Sequence, residues 1–445
     1  MRGRRWRARL YREQPRRHCF SDQNTLGTNA KLGVCDMYGL INLAGRQLLP
    51  NILASLAFSR TEQLRQNAVL HSDNRLESDL PAQRLFELLE RDAASGCVEL
   101  LRIEVDETLQ GVTDEVLALF AEFPGLRWIL HATGGNKMMS AALVDLARHP
   151  LVAAVVYRDI VKGWHQVTAQ PDGALVESPV TRNSGVAACL LDPQVRLDSL
   201  PLPDLLRAQF AENTAIARVD GSEPLSGADP EGWIGDVGKH STRSFVSYLA
   251  GRLSLASDGA AFEAWLCSVI SMAGARQVLW NCNAFNPDGG PALECDVVAL
   301  HGDRIAVYDA KLDQPKSKGK TEQIRAAAKT AQDLGGLSAT AVVVRPNWPR
   351  SPGTRSFADA MKVRLVTSED AHDFVRQLLV PLGLQDSMRA HAALNRIQVS
   401  LDAIFRHHPQ HPFIHEHAAA IGRSTTSPER RGKPVWPRGR AFDRR

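Results

Sequence analysis

Leu293–Lys311 reads LECDVVALHGDRIAVYDAK, two largely apolar runs, Leu293–Leu300 and Arg304–Lys311, joined by His301-Gly302-Asp303. A two-residue Gly-Asp loop closes a tight hairpin, with His301 opposite Arg304. That register sets Asp296 against Asp309 and Glu294 against Lys311. Because strand side chains alternate, all four then share one face. Like charges directly opposite each other destabilise a sheet, so the arrangement calls for a bound cation. The other face, Cys295, Val297 and Ala299 against Ala306, Tyr308 and Ala310, is apolar or amphipathic, which suits strands covered on both sides in a layered α/β domain. An exposed hairpin decorated with charge would explain the carboxylates but not that second face. Two carboxylates beside a lysine offer hard oxygen ligands for Mg2+ or Mn2+ and a group to orient a water, which is what metal-assisted phosphodiester hydrolysis requires.

Around this hairpin, 445 residues with 44% hydrophobic content make room for two or three domains with ordinary cores. The longest apolar runs, Leu151–Tyr157 and Ala339–Val344, fall far short of the roughly 18 residues that span a bilayer. The seven cysteines are scattered without a C-x-x-C pair, which disfavours disulfide frameworks and zinc ribbons and fits a reducing cytoplasm. The net charge of +4 hides a contrast: residues 1–36 carry +6 and residues 412–445 carry +5, which leaves the body at −7. An acidic body argues for nucleic-acid capture at a local groove and against an extended wrapping surface. The arginine-rich residues 1–36 lack a secretory apolar core. They are expected to be a disordered extension or a misplaced translation start before Met37.

From Tyr38 strands and helices alternate. Strands are expected at Gly39–Ala44, Asn67–His71, Val98–Val105, Arg127–His131 and Leu151–Tyr157. Helices are expected at Leu49–Phe58, Pro81–Ala94, Asp114–Glu122 and Met138–Arg148. This is a βαβ series and implies a Rossmann-like parallel sheet, whose ligands sit beyond the carboxyl ends of the strands. The loop His131–Met138 reads HATGGNKM between an apolar strand and a helix. Its paired glycines, Gly134 and Gly135, let backbone N–H groups approach a phosphate; the helix start adds a positive dipole and Lys137 a full charge. Thr133 and Asn136 complete this cradle, which is neither a Walker A loop nor G-x-G-x-x-G. A second loop brings Arg46 and Gln47 to the same sheet edge, and Ser72 with Asp73 closes the rim.

Glu294-x-Asp296 through Asp309-x-Lys311 resembles the PD-(D/E)xK nuclease superfamily. Members of that superfamily usually add a helical glutamate upstream, and Glu263 in AAFEAWLCSVI occupies that place. Taken with LINLAGRQLLPNILASLAF, the Thr133–Met138 loop and LGGLSATAVVV, the chain from about Tyr38 to about Leu384 resembles the CRISPR-associated Rossmann-fold (CARF) nucleases. The resemblance implies a homodimer whose CARF domains bind a cyclic oligoadenylate, commonly the tetra-adenylate, and whose restriction-endonuclease-like domains then cut nucleic acid. It implies that Arg46, Gly134, Gly135, Asn136 and Lys137 contact the activator. It also implies that Glu263, Glu294, Asp296, Asp309 and Lys311 form the metal site, with Asp296, Asp309 and Glu263 as ligands. Two departures stand out: Asn136 replaces a frequent threonine, and Asp309 a frequent glutamate.

The expected organisation is therefore a basic extension over 1–36, a CARF-like domain over 37–179 and a linker with a small helical element over 180–244. A nuclease domain over 245–395 and a histidine-containing basic tail over 396–445 complete it. Lys316, Lys318 and Lys320 offer charge to a nucleic-acid backbone or simply solvate a loop. His407, His408, His411, His415 and His417 lack zinc-finger cysteines and H-E-x-x-H, so they read as a surface segment. Three functions follow: an activator-gated nuclease acting on single-stranded DNA, RNA or supercoiled DNA; a constitutive repair or restriction nuclease; and a nucleotide-sensing regulator with an inactive nuclease domain. The intact carboxylate–lysine set disfavours the third, and the cradle without a DNA-reading motif disfavours the second.

Overall fold

The computed structural model describes residues 5–9, 37–61, 63–91, 98–159, 162–210, 218–222, 258–311, 319–345, 352–366 and 376–386. Lys316, Lys318 and the histidines of 407–417 lie outside them. Eight strands form the first sheet: β1 (Arg5–Arg9), β2 (Tyr38–Leu43), β3 (Leu64–His71), β4 (Glu99–Glu104), β5 (Arg127–His131), β6 (Val152–Asp159), β7 (Gly163–Ala169) and β8 (Leu175–Pro179). Their spatial order is β1-β4-β3-β2-β5-β6-β7-β8. The five from β4 to β6 run parallel. The expected βαβ alternation is present, and the strand Arg127–His131 coincides with β5.

Two departures sit at the sheet's edges. Residues 1–36 were expected to lack structure, yet Arg5–Arg9 pairs antiparallel with β4. An open sheet edge is a template for any strand that reaches it, and β4 offers one. At the far edge β7 and β8 extend the sheet antiparallel. Strand β7 buries only His165 and Val167, and β8 is mostly exposed, so neither carries a continuous apolar run to announce it.

Four helices cover the faces: α1 (Leu49–Ser59), α2 (Leu80–Arg91), α3 (Leu109–Glu122) and α4 (Lys137–Asp145). Leu40, Val69, Leu100 and Ile129 share one core cluster with α1 and α2; Ile41, Ala68, Leu70 and Leu130 share another with α3 and α4. All but the last residue of α1 are buried, as befits a helix enclosed on all sides. Helix α3 starts five residues earlier than periodicity suggests, because the Thr108 hydroxyl accepts from Gly111 N and caps it.

Past Pro179 the chain forms 3-10 turns, α5 (Leu202–Gln209) and β9 (Arg218–Ser222). The expected linker thus contributes a strand to the second sheet. That sheet comprises β9, β10 (Gln277–Phe285), β11 (Pro291–His301), β12 (Arg304–Ala310), β13 (Ala339–Val344) and β14 (Val363–Val366) in the order β14-β13-β12-β11-β10-β9. Helices α6 (Asp258–Met272), α7 (Lys320–Gly335) and α8 (Pro352–Ala360) accompany it. The hairpin has the expected register: His301 faces Arg304, Ala299 faces Ala306 and Val297 faces Tyr308. Both faces are dry, Val297, Ala299, Ala306 and Tyr308 packing with α6 while Val298, Leu300, Ile305 and Val307 join the cluster shared with the first domain; Cys295, expected on the Val297 face, belongs to that second cluster, so the alternation breaks at Asp296. The architecture is α/β: a Rossmann-like sheet followed by a second α/β domain. No helix among the described residues is long and apolar enough to cross a membrane.

Candidate functional site

The first candidate site lies where β2 and β5, sequence-distant neighbours, stand side by side and the strand order reverses. The loops leaving these two strands meet: a Cβ on Gly45 would come within 2.8 Å of Gly135 N. Gly134 passes so close to β2 that its own Cβ would lie 1.7 Å from Leu43 O, and Gly135 has φ of +70°. Both glycines are demanded by the backbone, which keeps the loop's amides near the sheet edge. Ser140 Oγ donates to Ala132 O at 3.1 Å and to Gly134 O at 3.2 Å. Thr133 Oγ1 accepts from Arg158 N at 2.8 Å. The Asn136 side chain caps α4, accepting from Met139 N at 2.9 Å, and its amide donates to Glu107. Lys137 is exposed at the first helical position.

Three residues expected at this rim have partners within the protein. Arg46 forms an ion pair with Glu77. Gln47 Oε1 accepts from Leu337 N of the second domain at 2.8 Å, so its amide spans the interface between domains. Ser72 is buried; its N–H donates to Ser78 Oγ and its hydroxyl accepts from Asn74 N at 3.4 Å, holding the turn after β3. The start of α1 is also closed: Gln209 Oε1 accepts from Leu48 N and Leu49 N at 2.9 and 3.2 Å. Beneath the loop His131 is fully buried, and its Nδ1–H donates to Asn42 Oδ1 at 2.9 Å. Burial drives its pKa down to about 3, so it stays neutral.

The second candidate site lies at the open end of the β11–β12 hairpin. The ladder between the two strands stops at Val297–Tyr308, so neither expected pair, Asp296 with Asp309 nor Glu294 with Lys311, forms in it, and Glu294 instead faces Asn283 on β10. Asp296 takes over from the ladder: its Oδ2 accepts from Ala310 N at 2.6 Å. Asp309 Oδ1 accepts from Arg345 Nη2 at 2.7 Å, and Lys311 Nζ stands 4.0 Å from the same oxygen. Glu263, on α6, is pushed up to about 8 by burial, then by Asp296 and Glu294, with Lys311 opposing. Asp296 is raised by burial and by Asp309, against the Ala310 N–H, Lys311 and Arg345. Among the described residues no three His, Cys, Asp or Glu side chains are spaced to hold a metal ion. Arg345, missed in the sequence, takes one Asp309 oxygen; its only signal there is an arginine directly after the apolar β13.

The donor chemistry nevertheless fits a divalent cation. Three mutually repelling carboxyl groups, one already held near neutrality, gain most from a doubly charged partner. A pH dependence follows. The folded Glu263 binds its proton more tightly than the unfolded one, so metal-free protein should lose stability as pH rises from 4.5 to about 8. Mn2+ or Mg2+ should restore it most at the upper end, where the proton is cheapest to displace. Thermal unfolding across that window with chelator or cation tests this; a cation effect independent of pH would contradict it.

Between the two sites lies a cleft of about 1110 Å3, lined by Gln47 and Thr133 from one side and by His301–Arg304 from the other. Arg158 Nη2 reaches Asp303 Oδ2 across it at 3.2 Å. Asp198 accepts from Gly302 N at 2.7 Å.

No protein-family model matches this sequence, and no curated protein is similar to it at the sequence level. Solved structures are similar in fold. Can2 from Sulfobacillus thermosulfidooxidans, solved in complex with cyclic tetra-adenylate, superposes with a TM-score of 0.52 at 16% identity, covering 78% of this chain and 99% of its own. Protein VC1899 from Vibrio cholerae superposes with a TM-score of 0.52 at 12% identity, covering 82% and 99%.

Proposed function

We propose that the chain is a cyclic-oligoadenylate-sensing, metal-dependent endonuclease of type III CRISPR defence, with a CARF-like first domain and a restriction-endonuclease-like second one. The observation that carries the reading is the switch-point cradle, where Gly134 and Gly135 are backbone-enforced and Lys137 is exposed, in the same chain as the Asp296–Asp309–Lys311 cluster. The likeness in fold to a protein holding cyclic tetra-adenylate supports that ligand.

In this reading loop amides and Lys137 bind the ring phosphates, with Asn136 fixing the helix start and Thr133 the loop's exit. Arg46 can turn from Glu77 to phosphate. A ring with two-fold symmetry touches one cradle on each of two protomers, so the protein works as a homodimer. Leu109, Leu117 and Met138, 39%, 37% and 50% exposed on the packed helices α3 and α4, give that dimer an apolar face beside the cradle. In the second domain Asp296, Asp309 and Glu263 would hold Mg2+ or Mn2+, which supplies charge stabilisation and an acidified water. Lys311 would orient a water there, and the exposed Glu294 would face the nucleic-acid strand. Binding of cyclic tetra-adenylate measured by calorimetry tests the sensing half. The expected result is one ring per two protomers, and one ring per protomer would contradict the shared site.

Coupling runs through Thr133, whose hydroxyl holds Arg158 N, to the Arg158–Asp303 pair and so to the turn of the catalytic hairpin. Asp303→Asn removes the charge at nearly constant shape. It should leave ring binding intact while lowering the activation ratio roughly fivefold to a hundredfold, the span of a coupling of about 1–3 kcal/mol. An unchanged ratio in a cleavage assay with and without ring would show that coupling travels elsewhere.

A further inference from the structure

Arg345 is 1% exposed and directly follows β13. Nη1 donates to Asp309 O at 2.7 Å and to Val344 O at 2.8 Å, while Nη2 donates to Asp309 Oδ1 at 2.7 Å. Nε donates to Gln323 Oε1, on α7, at 3.3 Å. One planar fork therefore ties the end of β12 to the end of β13 and fixes the rotamer of one carboxylate. Among the described residues no hydrogen bond reaches the other Asp309 oxygen. A carboxylate needed only for stability would gain more from a partner on both oxygens.

We propose that Arg345 is a positioning residue for the cation site: it clamps Asp309 by Oδ1 and the backbone so that Oδ2 is left, in a fixed place, as a ligand. The proposal rests on the metal reading above. Ligating carboxylates are commonly oriented by partners behind them, and loss of such a partner costs metal affinity. Gln323 orients the clamp in turn.

The alternative is that Arg345 only neutralises charge. The two roles predict opposite signs. A nearby cation competes with a metal, so removing a mere counter-charge should strengthen metal binding. Removing a clamp should weaken it. An ammonium cannot reproduce the guanidinium fork, so R345K separates charge from geometry and keeps the buried positive charge where R345M fails to fold.

The test is Mn2+ binding to the full chain without nucleic acid, read by paramagnetic resonance of free Mn2+, for wild type, D296N, R345K, R345M, D309N and D309N/R345M. Unfolding in chelator checks the fold of each. Expected are Mn2+ binding by wild type that D296N abolishes, and losses of about 10–100-fold in R345M and R345K. Adding R345M to D309N should cost less than about twofold more, because the clamp then has nothing to hold. Wild type binding no Mn2+ would overturn the metal reading and this inference together. Wild-type binding with R345M unchanged or tighter, R345K unchanged, or losses that add in the double variant, would overturn the inference alone.

Discussion

Asp296→Asn is expected to remove nucleic-acid cleavage, by roughly a thousandfold or more, because a metal's charge stabilisation is worth several kcal/mol of barrier. Asparagine keeps an oxygen for Ala310 N, which Asp296 Oδ2 now serves at 2.6 Å, so the strand end stays satisfied. It also deletes one of the carboxylates that repel Glu263 and Asp309. Metal-free D296N should therefore unfold at a higher temperature than wild type near pH 8, where Glu263 loses its proton. Cyclic tetra-adenylate should bind it as before. Asp296→Ala is the poorer probe, since an unsatisfied buried N–H costs about 1–3 kcal/mol by itself. Cleavage by D296N at the wild-type rate would remove the assignment of catalysis to this carboxylate cluster.

Gly134→Ala should do the reverse damage. Its Cβ would stand 1.7 Å from Leu43 O and 3.0 Å from Asn51 Nδ2, and that amide already donates to the same carbonyl. None of these atoms is the free end of a flexible side chain, so the loop must move off β2. Overpacking of this kind costs about 1–3 kcal/mol and at times more. We expect a lower unfolding temperature and loss of cyclic tetra-adenylate binding, with the carboxylate cluster intact. Lys137→Ala separates charge from shape: it should leave stability unchanged and weaken the ring by about 10–100-fold, the worth of a charge-assisted hydrogen bond. G134A as stable as wild type would refute the close-approach argument, and K137A with undiminished affinity would remove the cradle.

The hairpin was legible because two independent rules, period-two alternation and the two-residue Gly-Asp turn, point to one register, and a slip by one residue would drive Asp296 into the core. The βαβ series was legible for the same reason, its buried strands being continuous apolar runs. What escaped reading depends on partners far along the chain. Gln47 sits at a strand-to-helix turn, as a phosphate contact would, yet its partner is Leu337. Nothing local tells Gln209 to cap α1 across 160 residues. Arg345 acquires its meaning only when β12 and β13 lie parallel, with Asp309 opposite Val343. The supposed linker is of this kind too: Gln277 Nε2 donates to Asp198 O and Gly302 N to Asp198 Oδ2, which ties it to the second sheet through contacts that carry no sequence signature.

The central claim is that cleavage is conditional on a ring bound in the other domain. The direct test is to incubate the purified chain with Mn2+ and labelled single-stranded DNA, single-stranded RNA and supercoiled plasmid. Cyclic tri-, tetra- or hexa-adenylate, or no ring, is added to each, and the products are separated on gels. The account predicts cleavage of at least one substrate with cyclic tetra-adenylate and Mn2+ together, and none when either is omitted. Equal cleavage with and without every ring would contradict it.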